Sequence, residues 1–583
     1  MKSANAAIKY IYSFMLKRKW FIPLFIFMCI FRVVFGIIEP RIAQDLIDTA
    51  VYSHEVHLLL RYALFWSIAF IIRMLVELSY KYTSIKYRNG ILSSIIEDVF
   101  RHVLKLPIGY FQDNSPTYIV SRQIDDAFGI QGLMVNNLIE GVLSIIEFIV
   151  IAILMFRYNI LLGIISILLI ALDLLITFSF PLTRLYKEHN ESLAVIKKEL
   201  ANVYQGVKLI KLQDNIEQET TRFKEYQDRY FEALAKRDHA NLLRNSSTSF
   251  LKDIGIPIIV IVSSYYIFKG EMTAGLVTSI MLYYNRLWKA SIPATNLIPL
   301  YKIGKASAER LFEILQYPTE NDIEGTKMST IEGEIDSISF RNVDLCYIDN
   351  VNVLKNINLD INKGRSIAFV GHSGSGKSSI INLLLKFFAA SSGNIIINGI
   401  DINDIDAISL RKHFSYVDQQ AFLFNRTIRE NLLYYCKCKN NKETHDKLDY
   451  YIDVFGLTEF ISKLPNGIDT KLNESSSKIS GGEKQRLCII RELMKDSEIL
   501  ILDEYTSALD SITQLGIHNE LLKLSKDKTI IMIAHRLTTI VNVDHIFVLE
   551  QGAIVENGTH SELMKTGGRY FDLFTKQVTF EED

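Results

Sequence analysis

The chain has 583 residues with 64 basic and 65 acidic side chains, so its net charge of −1 excludes nucleic-acid binding through bulk positive charge. Apolar residues make up 49% of the chain and charged residues 22%, which excludes a disordered protein. Five cysteines without a repeated spacing exclude a disulfide framework, and no His or Cys group accompanies the pair Cys436 and Cys438 at metal-ligand spacing.

The first half of the chain carries long apolar runs, in keeping with a mean hydropathy of +0.16. Six runs approach the ~20 residues that a helix needs to cross a bilayer, and lipid leaves helix as the expected backbone. We therefore predict an all-α membrane domain over residues 20–304 that crosses the membrane several times. We further expect this domain to lie in a bacterial cell membrane, which the apolar runs themselves do not indicate. Its spans are expected at about 20–42, 58–82, 137–157, 160–182, 250–269 and 274–298.

Basic side chains indicate how this domain is oriented. Residues 1–19 mix apolar and basic side chains and predict an amphipathic helix on the membrane surface, not a cleavable signal peptide. The connections 83–136 and 183–249 are long and charged, whereas the other connections are short and hold few basic residues. Both termini and the long connections are therefore expected in the cytoplasm. We expect these connections to be helices that continue the spans.

Charged side chains inside a span cost about 2.5–3.5 kcal/mol at the helix centre on insertion scales, so each needs a partner or water. Arg73 and Glu77 lie four residues apart on the second span, and we predict that they pair with each other. Three further acids, Glu140, Glu147 and Asp173, have no such neighbour on their own helices.

Two interpretations of these three acids stay open. They pair with basic groups of other spans, such as Arg32 or Arg286, and are then structural. Alternatively, some of them line a water-filled cavity that favours cationic or amphipathic cargo.

The character of the chain changes near residue 300. Residues 305–330 are polar, with Pro318 and Gly325, and predict a linker. From residue 331 to 583, short β-branched runs alternate with helical stretches and glycine-containing turns, which predicts an α/β domain with a largely parallel sheet. The expected strands are 366–370, 395–397, 499–502, 529–534 and 546–549.

A glycine-rich loop with the pattern GxxxxGK[ST] follows the first of these parallel strands. Its residues are Gly371, His372, Ser373, Gly374, Ser375, Gly376, Lys377 and Ser378, with Ser379 opening the next helix. Backbone amides of such a loop curl around phosphates at a helix N-terminus whose dipole favours anions. We expect Lys377 to reach the β- and γ-phosphates of a nucleotide and Ser378 to coordinate Mg²⁺.

Two further segments fit phosphate chemistry. The buried strand 499–502 ends in Asp503 and Glu504, which we expect to hold Mg²⁺ and to polarise the attacking water as general base, respectively. Ser480, Gly481, Gly482 and Glu483 open a helix 21 residues before Asp503 and are expected to bind a phosphate at its N-terminus.

With these motifs the chain resembles the ATP-binding cassette (ABC) exporters, in which a membrane domain precedes the nucleotide-binding domain. The resemblance implies ATP and Mg²⁺ as cofactors. It also implies roles for four residues: Tyr347 stacks on adenine, Gln419 senses the γ-phosphate and Mg²⁺, Asp510 lies in the loop that joins two nucleotide domains, and His535 contacts the γ-phosphate during catalysis.

Some positions depart from the family pattern. Ile479 and Glu483 stand where Leu and Gln are usual, Asp418 precedes Gln419, and Tyr505 replaces a small residue after the general base. None of these changes removes a group that hydrolysis needs. In the membrane half, residues 106–115 and 205–212 resemble the two coupling helices that dock on the nucleotide domains.

The resemblance also implies a dimer, because the loop of one copy and Ser480 of the other enclose each ATP. A homodimer satisfies this requirement with two equal sites, and a heterodimer with a different partner stays open. The implied activity is ATP-driven export of a small molecule, lipid or peptide by alternating access, with no nucleic-acid partner. An ABC membrane protein that acts as a channel or regulator is the alternative.

Overall fold

The computed structural model describes residues 9–10, 13, 19–53, 56–131, 138–320, 322, 329–347, 351–436, 441–472, 479–505, 511–524, 526–534 and 536–582. The chain divides into two compact units. The helical unit comprises residues 1–104 and 116–317, and the α/β unit comprises residues 105–115 and 318–583.

The described part of the helical unit contains long helices, as the apolar runs predict. They are α1 (Phe21–Asp48), α2 (Val56–Val103), α4 (Pro116–Gln131), α5 (Leu138–Tyr158), α6 (Ile160–Ser179), α7 (Leu182–Gln205), α8 (Val207–Leu212), α9 (Ile216–Phe268) and α10 (Ala274–Gln316). The short helix α3 (Ile108–Asp113) lies between α2 and α4 and belongs to the α/β unit.

Within the described residues, five helical segments are long and apolar enough to cross a membrane. They are Pro23–Tyr52, Val56–Val103, Glu140–Tyr158, Ile160–Gln205 and Ile216–Phe268. The sixth predicted span, 274–298, begins α10 but does not reach the same apolarity, because it carries polar side chains such as Arg286 that face partners in neighbouring helices. The long connections are helical, with α2, α7 and α9 continuing the spans.

The predicted linker is partly wrong, because residues 305–316 continue α10 without a break. Polar side chains there serve packing between helices. Arg310 of α10 pairs with the buried carboxylate of Asp126 on α4, and Arg122 pairs with the same carboxylate at 3.3 Å. Gly129 lets α4 approach α10 closely, since a Cβ there would lie 2.4 Å from the Ser307 hydroxyl oxygen. A buried acid with two guanidinium partners thus accounts for the polar sequence.

The predicted pairing of Arg73 with Glu77 is also wrong. The guanidinium of Arg73 on α2 lies 2.6 Å from the carboxylate of Glu39 on α1, and Glu77 pairs with Lys81 at 3.0 Å. The spacing of Arg73 and Glu77 on one helix permits contact. Arg73 instead pairs with Glu39 on the neighbouring helix, whose side chain is less exposed than that of Glu77.

Two of the three acids left open in the spans, Glu147 and Asp173, have polar partners on other helices. Glu147 of α5 lies 2.9 Å from Arg32 of α1 and 3.4 Å from Arg286 of α10, as the structural interpretation of this acid expects. Buried Asp173 of α6 accepts a hydrogen bond from the hydroxyl of Thr248 on α9 at 2.6 Å. A hydroxyl, not a cation, is therefore the partner shown for Asp173.

The described part of the α/β unit contains two sheets, of which the sequence predicted one. Its strands are β1 (Ser337–Cys346), β2 (Asn352–Asn362), β3 (Ser366–Val370), β4 (Ser392–Ile397), β5 (Ile400–Asp401), β6 (Phe414–Val417), β7 (Ile499–Asp503), β8 (Thr529–Ile533), β9 (His545–Glu550) and β10 (Ala553–Gly558). Its helices after α10 are α11 (Lys377–Leu384), α12 (Ala407–Arg411), α13 (Ile428–Leu432), α14 (Lys442–Val454), α15 (Thr458–Ser462), α16 (Gly481–Met494), α17 (Ser511–Leu524), α18 (His560–Thr566) and α19 (Arg569–Glu582).

The larger sheet has the order β10-β9-β3-β8-β7-β6 and is parallel except for β10. Strands β7 and β8 are buried at nearly every residue, as expected for strands covered on both faces. The smaller sheet, in the order β2-β1-β4-β5, is antiparallel. Residues 395–397 therefore form part of an antiparallel strand, not of the parallel sheet.

The segment 105–115 packs within the α/β unit. The backbone N–H of Glu320 donates to the carbonyl of Lys105 at 2.9 Å, and Leu106 and Tyr110 are buried. A Cβ on Gly109 would lie 3.7 Å from the Phe388 ring. These contacts agree with the resemblance of residues 106–115 to a coupling helix.

Candidate functional site

The loop after β3 is shaped by its glycines. Gly371, Gly374 and Gly376 have φ angles of 152°, 80° and 103°, which L side chains rarely adopt. A Cβ on Gly371 would lie 2.2 Å from the carbonyl oxygen of Leu549, and one on Gly376 would lie 2.6 Å from a methyl group of Leu354. The loop is therefore built on close backbone contacts that only glycine permits.

Lys377 is the first residue of α11 and turns its side chain back over this loop. Its ammonium donates to the carbonyl oxygens of Gly371 and His372 at 2.7 and 3.0 Å. Burial lowers the pKa of Lys377, and the nearby carboxylates of Glu504 and Asp503 oppose that shift. The buried hydroxyl of Ser375 has no hydrogen-bond partner. A buried ammonium and an unused hydroxyl in one loop fit an anion such as a nucleotide phosphate.

Asp503 ends β7 beside this loop. Its carboxylate is 4% exposed and accepts a hydrogen bond from the hydroxyl of Tyr416 at 3.2 Å. Burial raises the pKa of Asp503 to about 6, against the effect of hydrogen bonds from Tyr416 and Ser378. A cation bound next to this carboxylate would favour its charged form and so offset the effect of burial on its pKa.

The oxygens of Ser378, Asp503 and Gln419 are of the kind that Mg²⁺ prefers. Across the described residues, no group of three or more His, Cys, Asp or Glu side chains could hold a metal ion by itself. A Mg²⁺ ion bound here would therefore rely on phosphate oxygens and water for its remaining ligands, which is how Mg²⁺ binds in nucleotide-dependent enzymes.

Glu504 follows Asp503 in a left-handed conformation with φ 45°. Its backbone N–H donates to the carbonyl of Ile533 at the end of β8 at 3.2 Å, and its carboxylate accepts a hydrogen bond from the Gln419 amide. Glu504 and Gln419 line an open pocket of about 540 Å³ together with Arg536. The structure therefore brings the predicted base, the predicted sensor and the phosphate-binding loop to one edge of the parallel sheet.

Ser480 caps the N-terminus of α16. Its hydroxyl accepts a hydrogen bond from the backbone N–H of Glu483, and the Glu483 carboxylate accepts from the Ser480 backbone N–H at 2.8 Å, which together form a capping box. Gly481 and Gly482 form the first turn. In the described part of the chain, no hydrogen bond or ion pair joins residues 480–483 to the loop at 371–378.

Tyr347 lies beside the phosphate-binding loop with a partly exposed ring. Its hydroxyl donates to the Ser379 hydroxyl at 3.1 Å, and its ring meets Phe388 edge to face at a centroid distance of 4.8 Å. Its stacking on adenine stays a prediction. His535 and Asp510, for which the resemblance implies roles in catalysis and in the joint between domains, lie outside the described residues, as does Cys438.

Two tyrosines support the site: Tyr416, which no sequence motif marked, and Tyr505, which stood out only as a large residue after Glu504. Tyr416 reaches Asp503 only because β6 pairs with β7 in parallel, with Val417 opposite Leu502. Tyr505 is buried, and its hydroxyl lies 2.7 Å from a ring nitrogen of His518 on α17. The large residue after Glu504 therefore has a structural partner. In the sequence, the position of Tyr416 three residues before Gln419 was the available indication of a role in the site. The contact with Asp503 could be inferred only from the register of β6 against β7.

Two family models match the chain, the ABC transporter over residues 354–507 and the ABC transporter transmembrane region over residues 22–289. An ATP-dependent lipid A-core flippase of Syntrophus aciditrophicus (strain SB) is 31% identical over 85% of this chain and 81% of its own length. A Bacillus subtilis (strain 168) protein, YgaD, provisionally named for multidrug export, is 30% identical over 88% of each chain. The solved structure of a bacterial Atm1-family ABC exporter with ATP bound is 23% identical, with a TM-score of 0.77 over 95% of this chain and 98% of that chain.

Proposed function

We propose a function from one premise: the chain belongs to the ABC transporter family and has the fold of its exporters, a helical membrane domain followed by a nucleotide-binding domain. It is an ATPase coupled to transport, and its activity is ATP-driven export. The observation that carries the finer proposal is the convergence of Lys377, Asp503, Gln419 and Glu504 at one sheet edge.

We infer that these residues divide the work of ATP hydrolysis. The loop amides, the Lys377 ammonium and the Ser375 hydroxyl bind phosphate, and Ser378, Gln419 and Asp503 contribute oxygens to Mg²⁺. Mg²⁺ neutralises charge on the transferred phosphoryl group. The carboxylate of Glu504 accepts a proton from the attacking water, and Gln419 holds that carboxylate in place. Tyr347 stacks on adenine, and His535 contacts the γ-phosphate.

We propose that the protein works as a homodimer with two composite sites. We call α16, with Ser480 at its N-terminus, the signature helix. Among the described residues of one copy, Ser480 has no hydrogen bond to the loop at 371–378, and in the proposed dimer the signature helix of the second copy binds the nucleotide held by this loop. The apolar residues Val207, Leu209 and Leu212 of α8, the second predicted coupling helix, are exposed in the single chain and support the same proposal. Intact groups at both halves of the site favour two identical chains.

The chain is a multi-pass membrane protein. We propose that it lies in a bacterial cell membrane, with the α/β unit and both termini in the cytoplasm. The charged helical extensions of α2, α7 and α9 and the basic side chains near the first span support this orientation.

The cargo we propose is a hydrophobic or amphipathic molecule, in the range set by relatives named for lipid A-core flipping and multidrug export. The test uses purified protein in sealed vesicles with outward-facing nucleotide units. ATP-dependent uptake of two probes, a fluorescently labelled phospholipid and the dye Hoechst 33342, is measured for the wild type and for Glu504→Gln. We expect uptake of at least one probe against its gradient, and none with Glu504→Gln.

Uptake that only equalises the probe across the membrane, at the same rate with Glu504→Gln, would instead show a channel. Uptake against a gradient by both proteins would show that Glu504 is not the base. The first outcome tests whether the protein is a pump or a channel, and the second tests whether Glu504 is the general base.

A further inference from the structure

A chain of ion pairs joins several of the helices that contain the predicted spans. Arg73 of α2 pairs with Glu39 of α1, and Arg286 of α10 bridges Glu39 and Glu147 of α5. Arg32 of α1 pairs with the same Glu147 at 2.9 Å. The order Arg73–Glu39–Arg286–Glu147–Arg32 joins four different helices. We call these five residues the charge chain.

The charge chain is built into the packing of the helices. Gly36 of α1 faces it, and a Cβ there would lie 3.0 Å from the guanidinium of Arg286. The side chains of Arg286, Glu39 and Glu147 are 13%, 13% and 7% exposed. In contrast, Arg73 and Arg32 at the two ends are 34% and 43% exposed. The middle of the chain is thus fixed, and its two ends are open to a ligand.

The charge chain lines a cavity of about 460 Å³ within the helical unit. One part of the lining is apolar and aromatic, with Met28, Phe31, Phe35, Leu143 and Leu282. The rest is polar and includes Tyr80, Asn285 and Lys289. A cavity with both kinds of wall accommodates an amphipathic molecule, whose polar group meets the charges and whose apolar part meets the aromatic rings.

The balance of charge decides which polar group fits. The charge chain holds three guanidinium groups and two carboxylates, so one positive charge is in excess. Each carboxylate already has two guanidinium partners. Lys289 and Glu140, both exposed, also line the cavity and contribute one charge of each sign, and so do Lys81 and Glu77, which pair with each other. These four residues leave the excess of one positive charge unchanged. Surrounded by lipid, an excess charge calls for a counter-ion.

We propose that this cavity binds an amphipathic substrate through an anionic headgroup, a phosphate or carboxylate, held by the outer guanidinium groups of Arg32 and Arg73. The proposal rests on the proposed function, since the ligand would be the cargo of the exporter. It reverses the expectation that acids in the spans favour cationic cargo, because Glu147 is occupied by two arginines. Arginine suits this role, since its planar guanidinium binds phosphate and carboxylate through two parallel hydrogen bonds.

The test measures binding of chain-matched lipids to the full-length protein in phosphatidylcholine nanodiscs. The probes are oleoyl lysophosphatidic acid, oleoyl lysophosphatidylcholine and oleylamine, which carry an anionic, a zwitterionic and a cationic headgroup. Inorganic phosphate is a fourth ligand and distinguishes a lipid headgroup from a free anion. We expect the anionic lipid to bind at least about tenfold more tightly than the other two lipids, and inorganic phosphate alone to bind weakly.

Four variants locate the site. Arg32→Gln and Arg73→Gln should each weaken binding of the anionic lipid about tenfold, because each removes a guanidinium from an open end. Glu140→Gln should strengthen it, because it removes a negative charge from the cavity, and a gain in affinity cannot come from misfolding. Arg61→Gln is the matched control: Arg61 lies twelve residues before Arg73 on α2, is exposed, and does not line the cavity. It should change neither lipid binding nor basal ATP hydrolysis.

Equal affinity for the three lipids, or tighter binding of oleylamine, would overturn the proposal. So would weaker binding of the anionic lipid by Glu140→Gln, or an equal loss with Arg61→Gln. Tight binding of inorganic phosphate would show a site for a free anion and contradict an amphipathic ligand. Each of these results leaves ATP-dependent transport unaffected in the wild type, so a failure here is distinct from a failure of the proposed export function.

Discussion

At the scale of single residues, the buried carboxylate of Asp503, which we propose binds Mg²⁺, lowers the stability of the fold when no cation is bound. The carboxylate is buried at the end of β7, and its pKa rises to about 6 from an ordinary value of 3.8. Between these two pH values the folded chain retains a proton that the unfolded chain releases. The free energy of unfolding contributed by Asp503 therefore falls as the pH rises through that interval.

Replacing this carboxylate should separate stability from function. We expect Asp503→Asn, without nucleotide, to have a higher free energy of unfolding than the wild type at pH 7.5, by about 1–3 kcal/mol. The difference should shrink as the pH approaches 5. With Mg²⁺ and ATP the order should reverse, because only the wild type gains stability from the metal. Thermal unfolding of both proteins in detergent, at two pH values and with and without MgATP, measures this, and a variant less stable at every pH would contradict it.

Glu504 is the residue on which turnover should depend most. We expect Glu504→Gln to bind ATP and to release phosphate at least about 100-fold more slowly, because the amide keeps the shape of the carboxylate but cannot accept a proton. Phosphate release and retention of labelled ATP measure the two effects. Glu520→Gln is the control, since Glu520 lies on α17 and pairs only with Lys523 among the contacts shown. Normal phosphate release by Glu504→Gln would remove Glu504 from its role.

Local spacing identified the glycine-rich loop after β3, whose conformation the structure shows, but it did not identify the ion pairs of the spans. The phosphate-binding loop is contiguous, so Gly371 to Ser378 could be identified from their order alone. Arg73 and Glu77 also had a suggestive spacing, but their partners lie on a different helix or one turn further on, at Glu39 and Lys81. An ion pair between helices depends on how the helices pack, which a spacing within one helix does not contain.

At the scale of elements, the phosphate-binding loop gives a matched pair of substitutions. Gly371 and Gly374 both have left-handed φ angles, but a Cβ on Gly371 meets the Leu549 carbonyl, whereas one on Gly374 meets nothing within 4 Å. We expect Gly371→Ala to lower ATP affinity by at least about tenfold, because the β3–α11 turn must move. Gly374→Ala should introduce only the strain of its backbone angle and so lower the free energy of unfolding by about 1–2 kcal/mol. Its ATP affinity should stay within a few-fold of that of the wild type.

Equilibrium binding of a fluorescent ATP analogue to both variants measures this difference. If both variants bound the analogue equally well, the contact with Leu549 would not control the loop.

The two sheets differ in how well the sequence predicts their strands. Strands β7 and β8 are buried on both faces and form the apolar runs that were predicted as strands. Strands β1 and β2 alternate buried with exposed residues and carry charges such as Arg341 and Asp360, so no apolar run marks them. For α10, polar residues suggested a linker, because its buried partner Asp126 lies more than 170 positions earlier in the chain.

At the scale of the whole molecule, the composite site that we propose predicts how two variant chains behave together. Ser480→Arg should prevent the signature helix of its chain from binding a phosphate, and Lys377→Ala should weaken ATP binding by the loop at 371–378 of its chain. Each homodimer should be inactive. A mixed dimer should regain one complete site, formed by the loop of the first variant and the signature of the second, with ATPase activity well above either parent.

Mixed dimers are isolated by two different affinity tags and compared with doubly tagged dimers of Ser480→Arg alone. No recovery of ATP hydrolysis in confirmed mixed dimers would contradict the head-to-tail arrangement. A heterodimer with a different natural partner would show instead as an inactive homodimer of the wild type.

The capping box at the start of α16 bears on the lifetime of the dimer that we propose. Glu483 places its own carboxylate on the backbone N–H of Ser480, so an internal anion already occupies part of the end of the helix that is proposed to meet the γ-phosphate. A phosphate that binds at this helix end would compete with the carboxylate for the backbone N–H and would be repelled by its negative charge. The neutral side chain of glutamine at this position would not repel it. Once the γ-phosphate departs, the carboxylate can return at once to its own amide. We therefore predict that Glu483→Gln lengthens the lifetime of the proposed ATP-bound dimer, which the rate of nucleotide release from the purified protein measures.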